Sequence, residues 1–276
     1  LRVEGGERDV NDNPQTWHYG LVDRYWAEYL TAGSEIAFFQ HLIQHYGQPA
    51  LDAGCGSGRL LIPFLRAGLD VDGCDISPDM LAQCRAGAER EGLRPHLYQQ
   101  ALHELDLPRT YQSIVACGCF GLAVSRALDA VALARLYQHL NPGGLLLLDH
   151  HLPYKEEAEW RFWRKEARAA LPEPWPETLG KTPPADGSEY EIHSRFVAFD
   201  PIEQQLTREM RTLLWDEGQL VTQETYTLVA NLYFYHEMVA MLEEAGFKIE
   251  AVQAAYTGEP ATAEHDVLVF IASKWH

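Results

Sequence analysis

Leu51-Asp52-Ala53-Gly54-Cys55-Gly56-Ser57-Gly58-Arg59-Leu60 is the stretch that decides the fold. A short apolar approach meets glycines at every second position, and a new apolar run follows. That reads as a strand, a tight turn and the start of a helix. Alternate glycines free the backbone from Cβ clashes and let a ligand lie against the main chain. A helix starting right after the turn offers N–H groups to a negative group. The spacing is G-x-G-x-G. A dinucleotide-binding turn has G-x-G-x-x-G, and Arg59 stands where its third glycine would fall.

Working outward, strands and helices alternate. Strands are expected at residues 49–53, 70–74, 95–100, 111–117 and 145–149. Helices are expected at 23–30, 34–46, 59–67, from Ser77-Pro78-Asp79-Met80 to about residue 91, and at 127–140. Ser34 and Ser77 read as helix caps, and Pro78 suits a first helical position. Continuous apolar strands alternating with helices imply a parallel sheet covered on both faces. A ligand then belongs at the carboxyl ends of the strands.

Past residue 154 the pattern changes. Residues 155–170 read as a charged, tryptophan-bearing helix, and 171–184 as a proline-rich crossing. Residues 192–199, 205–215 and 220–229 have strand texture and short hairpin turns between them, so an antiparallel insert is expected. A helix at 235–245 and strands at 247–254 and 266–273 end the chain. The division expected is a flexible tail at 1–16, a Rossmann-like domain at 17–154 and 231–276, and a substrate-binding or lid insert at 155–230.

Composition narrows the function. The chain has 276 residues, with 40 acidic against 22 basic and a net charge of −18. Such a surface repels phosphate backbones and anionic lipid, so neither nucleic acid nor a membrane is an expected partner. No apolar run approaches the ~20 residues of a membrane span. The N-terminal stretch has no basic and apolar signal regions, so a cytoplasmic location is expected. Five cysteines, an odd number confined to 55–119, read as free buried thiols.

Four further features fall in register with the glycine turn. They are Asp75 after the second strand, Cys117-Gly118-Cys119 after the fourth, Pro142-Gly143-Gly144 before the fifth, and Ala245-Gly246-Phe247 before the sixth. With them the chain resembles the class I S-adenosylmethionine-dependent methyltransferases, over residues 17–154 and 231–275. Within that family it is similar to small-molecule enzymes with an antiparallel insert after strand five. The resemblance implies an α/β fold: a seven-stranded Rossmann-like sheet sandwiched by helices.

It also implies S-adenosylmethionine as cofactor, with in-line methyl transfer to N, O or C of a small-molecule acceptor. Gly54, Gly56 and Gly58 would cradle the methionine half, with Asp52 orienting the loop or meeting the amino group. Asp75 would accept both ribose hydroxyls, since its two oxygens suit a diol. Ile76 would pack on adenine, and Gln100, Ala101 and Leu102 would meet the purine edge. Cys117 would place a backbone group near the sulfonium, with Gly118 leaving room for the methyl.

For the transfer itself, His150 and His151 are the candidate bases, with Asp149 as orienting partner. Adjacent strand side chains point opposite ways, so the sequence does not choose between the two. Tyr19, on a Trp17-His18-Tyr19-Gly20 segment suited to a lid, and Tyr154 are candidate substrate contacts. So are His193, Arg195 and Trp215 of the insert, within an aromatic acceptor pocket that includes Trp160, Trp163, Trp175 and Phe196. No metal is expected, because a metal's carboxylates are not evident. A homodimer is one expected assembly. Two other readings stand beside the methyltransferase. One is a non-catalytic S-adenosylmethionine- or partner-binding protein. The other is a nicotinamide oxidoreductase, which Arg59 in the glycine position argues against.

Overall fold

The computed structural model describes residues 19–29, 32–176 and 189–275. The tail at 1–16, Trp17, His18 and much of the proline-rich stretch lie outside them. The chain opens with α1 (Leu21–Tyr29) and α2 (Ser34–Tyr46). The alternating core follows: β1 (Ala50–Ala53), α3 (Leu61–Arg66), β2 (Val71–Asp75), α4 (Pro78–Arg90), β3 (Leu97–Gln99), β4 (Tyr111–Ala116), α5 (Arg126–His139) and β5 (Leu140–His151). Two short helices, α6 (Glu157–Trp160) and α7 (Lys165–Arg168), lead to β6 (Glu189–Asp200), β7 (Gln205–Asp216) and β8 (Gln219–Asn231). The chain closes with α8 (Tyr235–Glu244), β9 (Phe247–Ala254) and β10 (Val267–Lys274).

Seven strands form one sheet in the order β3-β2-β1-β4-β5-β10-β9, and β6-β7-β8 form a second. In the large sheet only β10 runs against its neighbours; it pairs antiparallel with both β5 and β9. The strand order reverses between β1 and β4, and that switch point opens a crevice at the strands' carboxyl ends.

The pleat sorts each strand between two apolar layers. Leu51, Ile114, Leu146, Leu148 and Phe270 face a layer completed by Leu133 and Leu136 of α5 and Met238 and Leu242 of α8. Their neighbours Ala50, Val115, Leu145, Leu147 and Ile271 face Phe39, Ile43, Leu61, Phe64 and Leu81 of α2, α3 and α4. Full burial of a side chain such as Phe64 contributes about 1.5–3 kcal/mol.

Local signals hold at α4: the Ser77 hydroxyl accepts the Met80 N–H at 3.1 Å and Pro78 opens the helix. At α2 the cap position falls on Gly33 without a side-chain bond, and Ser34 is the first helical residue. The charged segment at 155–170 is not one helix. It breaks so that Phe162 can enter a satellite cluster with Phe199 and Leu206, and the Arg168 guanidinium donates to the freed carbonyls of Phe162 and Trp163. β5 begins earlier than the Pro-Gly-Gly signal implied, absorbing those residues in a register shift against β4.

Candidate functional site

The glycine turn is bolted to β2. The N–H groups of Gly54 and Cys55 both donate to the Cys74 carbonyl, at 2.8 and 2.9 Å, and Gly58 N–H closes on the Cys55 carbonyl at 2.9 Å. Gly56 N–H donates to Asp75 Oδ2 at 2.9 Å, and Ser77 N–H to Asp75 Oδ1 at 2.8 Å. The row of free loop donors expected from the spacing is therefore largely used within the protein. Gly54, Gly56 and Gly58 all have positive φ (75°, 53° and 92°), which accounts for the glycines. A Cβ at Gly54 would strike Cys119, and one at Gly58 would strike Cys84 and Ile62. At Gly56 it would meet only Met80 Sδ, at 3.9 Å, so the turn is open on that side.

Asp52 is buried beneath the turn, and its Oδ2 has no partner. Burial first, and the charge of Asp75 second, push its pKa to about 7. Asp75 is half-buried, with its carboxyl also raised by burial. Its Oδ2 accepts Gly56 N–H and its Oδ1 Ser77 N–H, the Ile76 N–H also bonds the carboxyl, and a carboxylate's about four acceptor sites leave capacity for a hydroxyl. Ile76 beside it is 39% exposed, an uncovered apolar face of the kind a purine ring would cover. An orphaned carboxylate oxygen, an open glycine face and an acid with spare acceptor capacity all fit S-adenosylmethionine.

Not every candidate converges there. The Gln100 amide accepts from Asp106 N–H at 2.9 Å and donates to the Asp106 carbonyl, so it braces its own loop and is not free for a purine edge. Ala101 and Leu102 continue that loop into a short 3₁₀ turn. The Tyr19 phenol is raised by burial and by the charges of Asp75 and Asp79, which places it on the cofactor side. Gly20 N–H donates to Asp79 Oδ2 at 3.0 Å and Leu21 N–H to Glu224 Oε2 at 2.7 Å, so α1 is pinned between α4 and β8.

The switch-point crevice leads to a cavity of about 260 Å³ between the core and the insert. Its floor is Phe120, Leu152, Leu206, Leu228 and Leu232; Gly118, Asp149 and His150 lie at the core end. His151, Lys155, Glu156, Glu159 and Arg208 supply polar groups to its wall. Arg208 is paired with Glu159 and stacks over Phe196, its guanidinium 4.7 Å from the ring centroid.

The two histidines separate cleanly. His150 is buried and its Nε2 donates to the Tyr233 carbonyl at 2.7 Å. That tautomer leaves Nδ1 as an acceptor, and burial lowers the pKa, so the ring is neutral near pH 7. His151 is exposed, with Lys155 Nζ 3.3 Å from its Nδ1. Asp149 orients neither ring. Its Oδ1 accepts Gly118 N–H at 2.6 Å, and its Oδ2 accepts the Tyr256 hydroxyl at 2.6 Å and the Cys117 thiol at 3.4 Å. Burial and the Asp149 charge push the Cys117 thiol up, so it stays protonated.

The insert candidates turn away from the cavity. Phe196 pairs with Arg208, which faces the cavity, so by strand alternation His193 and Arg195 lie on the other face. There Glu191 accepts from His193 at 2.8 Å and from the Trp215 indole at 3.0 Å, while Arg195 pairs with Glu209 and stacks on Trp175. Trp160 and Trp163 pack with Phe234, and Tyr154 meets Trp160 edge-on at the surface. The aromatic residues thus join the insert to its linker. Tyr256, 107 residues from Asp149, is the site residue that carried no sequence signal. Among the described residues no cluster of three or more metal-ligating side chains occurs, and no helix is long and apolar enough to cross a membrane.

Residues 50–144 match the family model described as a methyltransferase domain. A protein of Geobacillus sp. that carries the name methyltransferase is 31% identical over 124 residues, covering 43% of this chain; the chain spans half of that relative's length. A solved S-adenosylmethionine-dependent methyltransferase from Clostridium acetobutylicum superposes with a TM-score of 0.69 at 14% identity, covering 88% of this chain and 92% of its own. The sugar N-methyltransferase KedS8 from a Streptoalloteichus species gives 0.68 at 18% identity, covering 100% and 99%. At these identities the two structures speak for the fold. Residues 50–144 are thus matched as a methyltransferase domain, in a chain whose strand order β3-β2-β1-β4-β5-β10-β9 gives it the fold of solved S-adenosylmethionine-dependent methyltransferases.

Proposed function

We propose that this protein transfers the methyl group of S-adenosylmethionine to an amine nitrogen of a small molecule. The observation that carries the reading is the continuity of the two halves. Gly54 of the glycine turn, itself bonded to β2 and Asp75, packs against Cys119, and the adjacent Gly118 lines the cavity that has a neutral, buried imidazole at its core end. S-adenosylmethionine supplies an electrophilic methyl with a good leaving group, so positioning and exclusion of water carry much of the rate.

The residues divide the work. Asp75 takes the ribose diol, and Asp52 faces the cofactor's ammonium from below the turn. With the loop N–H groups largely used, Arg59 supplies the cation nearest the methionine carboxylate; it is held by Glu35 and touches Cys117 Sγ at 3.7 Å. His150 Nδ1 takes the proton an ammonium acceptor must lose. An amine is favoured over an anionic acceptor because Arg208 is paired with Glu159, Lys155 with Glu156, and the whole chain is strongly acidic. The sugar N-methyltransferase likeness and the cavity volume of about 260 Å³ support a small acceptor.

The test has two parts. Calorimetry with S-adenosylhomocysteine checks the cofactor half. Incubation with radiolabelled S-adenosylmethionine and a panel of small amines, alcohols and carboxylates checks the acceptor half. Label in the amines supports the reading. Tight S-adenosylhomocysteine binding with label only in alcohols or carboxylates refutes the amine assignment, and no binding refutes the whole.

A further inference from the structure

Tyr256 is one of three non-glycine described residues with positive φ, at 53°. It lies in the turn after β9, and a left-handed tyrosine costs about 1–3 kcal/mol that the surroundings must supply. Its ring is wedged edge-on between Phe38 and Phe39 of α2, with centroids 5.9 and 5.8 Å away. This backbone carries the hydroxyl to Asp149 Oδ2 at 2.6 Å, with Cys117 Sγ 4.0 Å from the hydroxyl oxygen. Burial and the Asp149 charge raise the phenol's pKa, so the hydroxyl remains a donor.

The partner of that donor holds the end of β4. Asp149 Oδ1 accepts Gly118 N–H at 2.6 Å. In a trans peptide the carbonyl points opposite to the N–H, so the Cys117 carbonyl is turned away from Asp149. Gly118 has φ 70°, and a Cβ there would meet nothing within 4 Å; it also lines the cavity. The turn is further fixed by the Cys119 thiol, which donates to the Ala53 carbonyl at 3.1 Å.

We propose that Tyr256 is a positioning residue for methyl transfer: through Asp149 and the Gly118 N–H it aims the Cys117 carbonyl at the sulfonium methyl. The inference rests on the methyltransferase reading. A carbonyl dipole facing the electropositive methyl orients it toward the cavity and does no proton transfer. The backbone strain at Tyr256 then has a purpose that packing alone does not give, because Phe38 and Phe39 need only the ring.

The experiment uses S-adenosylmethionine labelled with carbon-13 at the methyl and needs no acceptor. The bound methyl resonance is recorded for the wild type, Tyr256→Phe and Asp149→Asn. Tyr256→Phe keeps the ring between Phe38 and Phe39 and removes only the donor. The expected result is near-unchanged affinity in both variants, with the bound methyl resonance moving toward its position in free cofactor. A methyl resonance identical to wild type in both variants overturns the proposal. Asp149→Asn keeps one acceptor oxygen and serves alone should Tyr256→Phe not fold. Failure of the wild type to bind the labelled cofactor refutes the parent reading instead, so the two failures are distinct.

Discussion

The carboxylate of Asp75 accepts the Gly56 N–H at 2.9 Å, so the acid that ends β2 is bonded to the turn that ends β1. One residue thus shapes the turn and, in the proposed function, is the acceptor for the ribose diol. Asp75→Ala is expected to weaken S-adenosylhomocysteine binding by about 1–3 kcal/mol, since both backbone donors lose their charged partner as well. Calorimetry reads this directly, and wild-type affinity in the variant would sink the ribose assignment.

Asp52 predicts a pH dependence of stability. Its pKa rises from 3.8 to about 7, because of burial and then Asp75. Across that window the folded chain holds more protons than the unfolded one, so this group's contribution falls as pH rises. Asp52→Asn is therefore expected to raise the ligand-free melting temperature, by an amount that grows from about pH 4 to about pH 8. A gap that shrinks with pH contradicts the assignment.

His150 has the opposite sign. Burial depresses its pKa below 6.5. Its contribution to stability is present above 6.5 and is lost as pH falls toward the depressed value, while the native ring keeps its acceptor nitrogen until the pH reaches that depressed value. His150→Gln is expected to lower methyl transfer by about 10²–10⁴-fold while S-adenosylhomocysteine still binds. Transfer at the wild-type rate would remove His150 from the chemistry.

Gly118→Ala places a methyl group in the open space at the cavity's core end and forces a left-handed alanine. A stability loss of about 1 kcal/mol is expected from the backbone alone. Acceptor turnover should fall far more than melting temperature does. Parallel losses in the two would mean the space is not where reaction occurs.

Glu224→Ala removes the carboxylate that receives the Leu21 N–H. Loss of this cap is expected to cost about 1 kcal/mol and to loosen α1 locally. Hydrogen exchange at residues 21–29 should quicken while β1 and β4 remain protected. Unchanged exchange in α1 would show that Asp79, through Gly20, suffices.

The large sheet was legible because its strands are apolar on both faces, as at Leu145, Leu146, Leu147 and Leu148, and because glycine and proline mark their ends. Asp75 was legible from its place after the second strand. The face of an insert residue was not. His193 and Phe196 lie three apart on one strand, and only pairing with Arg208 shows which of them looks toward the cavity. The engagement of Gln100 is not legible either, because a side chain's bond to its own loop, here to Asp106, leaves no pattern in sequence. Choosing between His150 and His151 required the Tyr233 carbonyl, and Asp149 required a tyrosine from a distant turn. Long-range polar pairing is decided by tertiary geometry, which periodicity does not encode.

The chain leaves the core at His151 and re-enters it at 231–233 under heavy anchorage. Asp129 accepts both the Asn231 amide and the Tyr233 hydroxyl at 2.7 Å, Arg126 donates to the Leu232 carbonyl, and His150 donates to the Tyr233 carbonyl. Departure and re-entry are thus sewn to neighbouring points of one rim. The segment between them is in effect a cassette: its ends are gripped by core residues, and a foreign loop spliced between the same two points would leave Asp52, Asp75, Asp149 and His150 in place. If the proposed function holds, acceptor choice is exchangeable on this scaffold without rebuilding the residues proposed to hold the methyl donor.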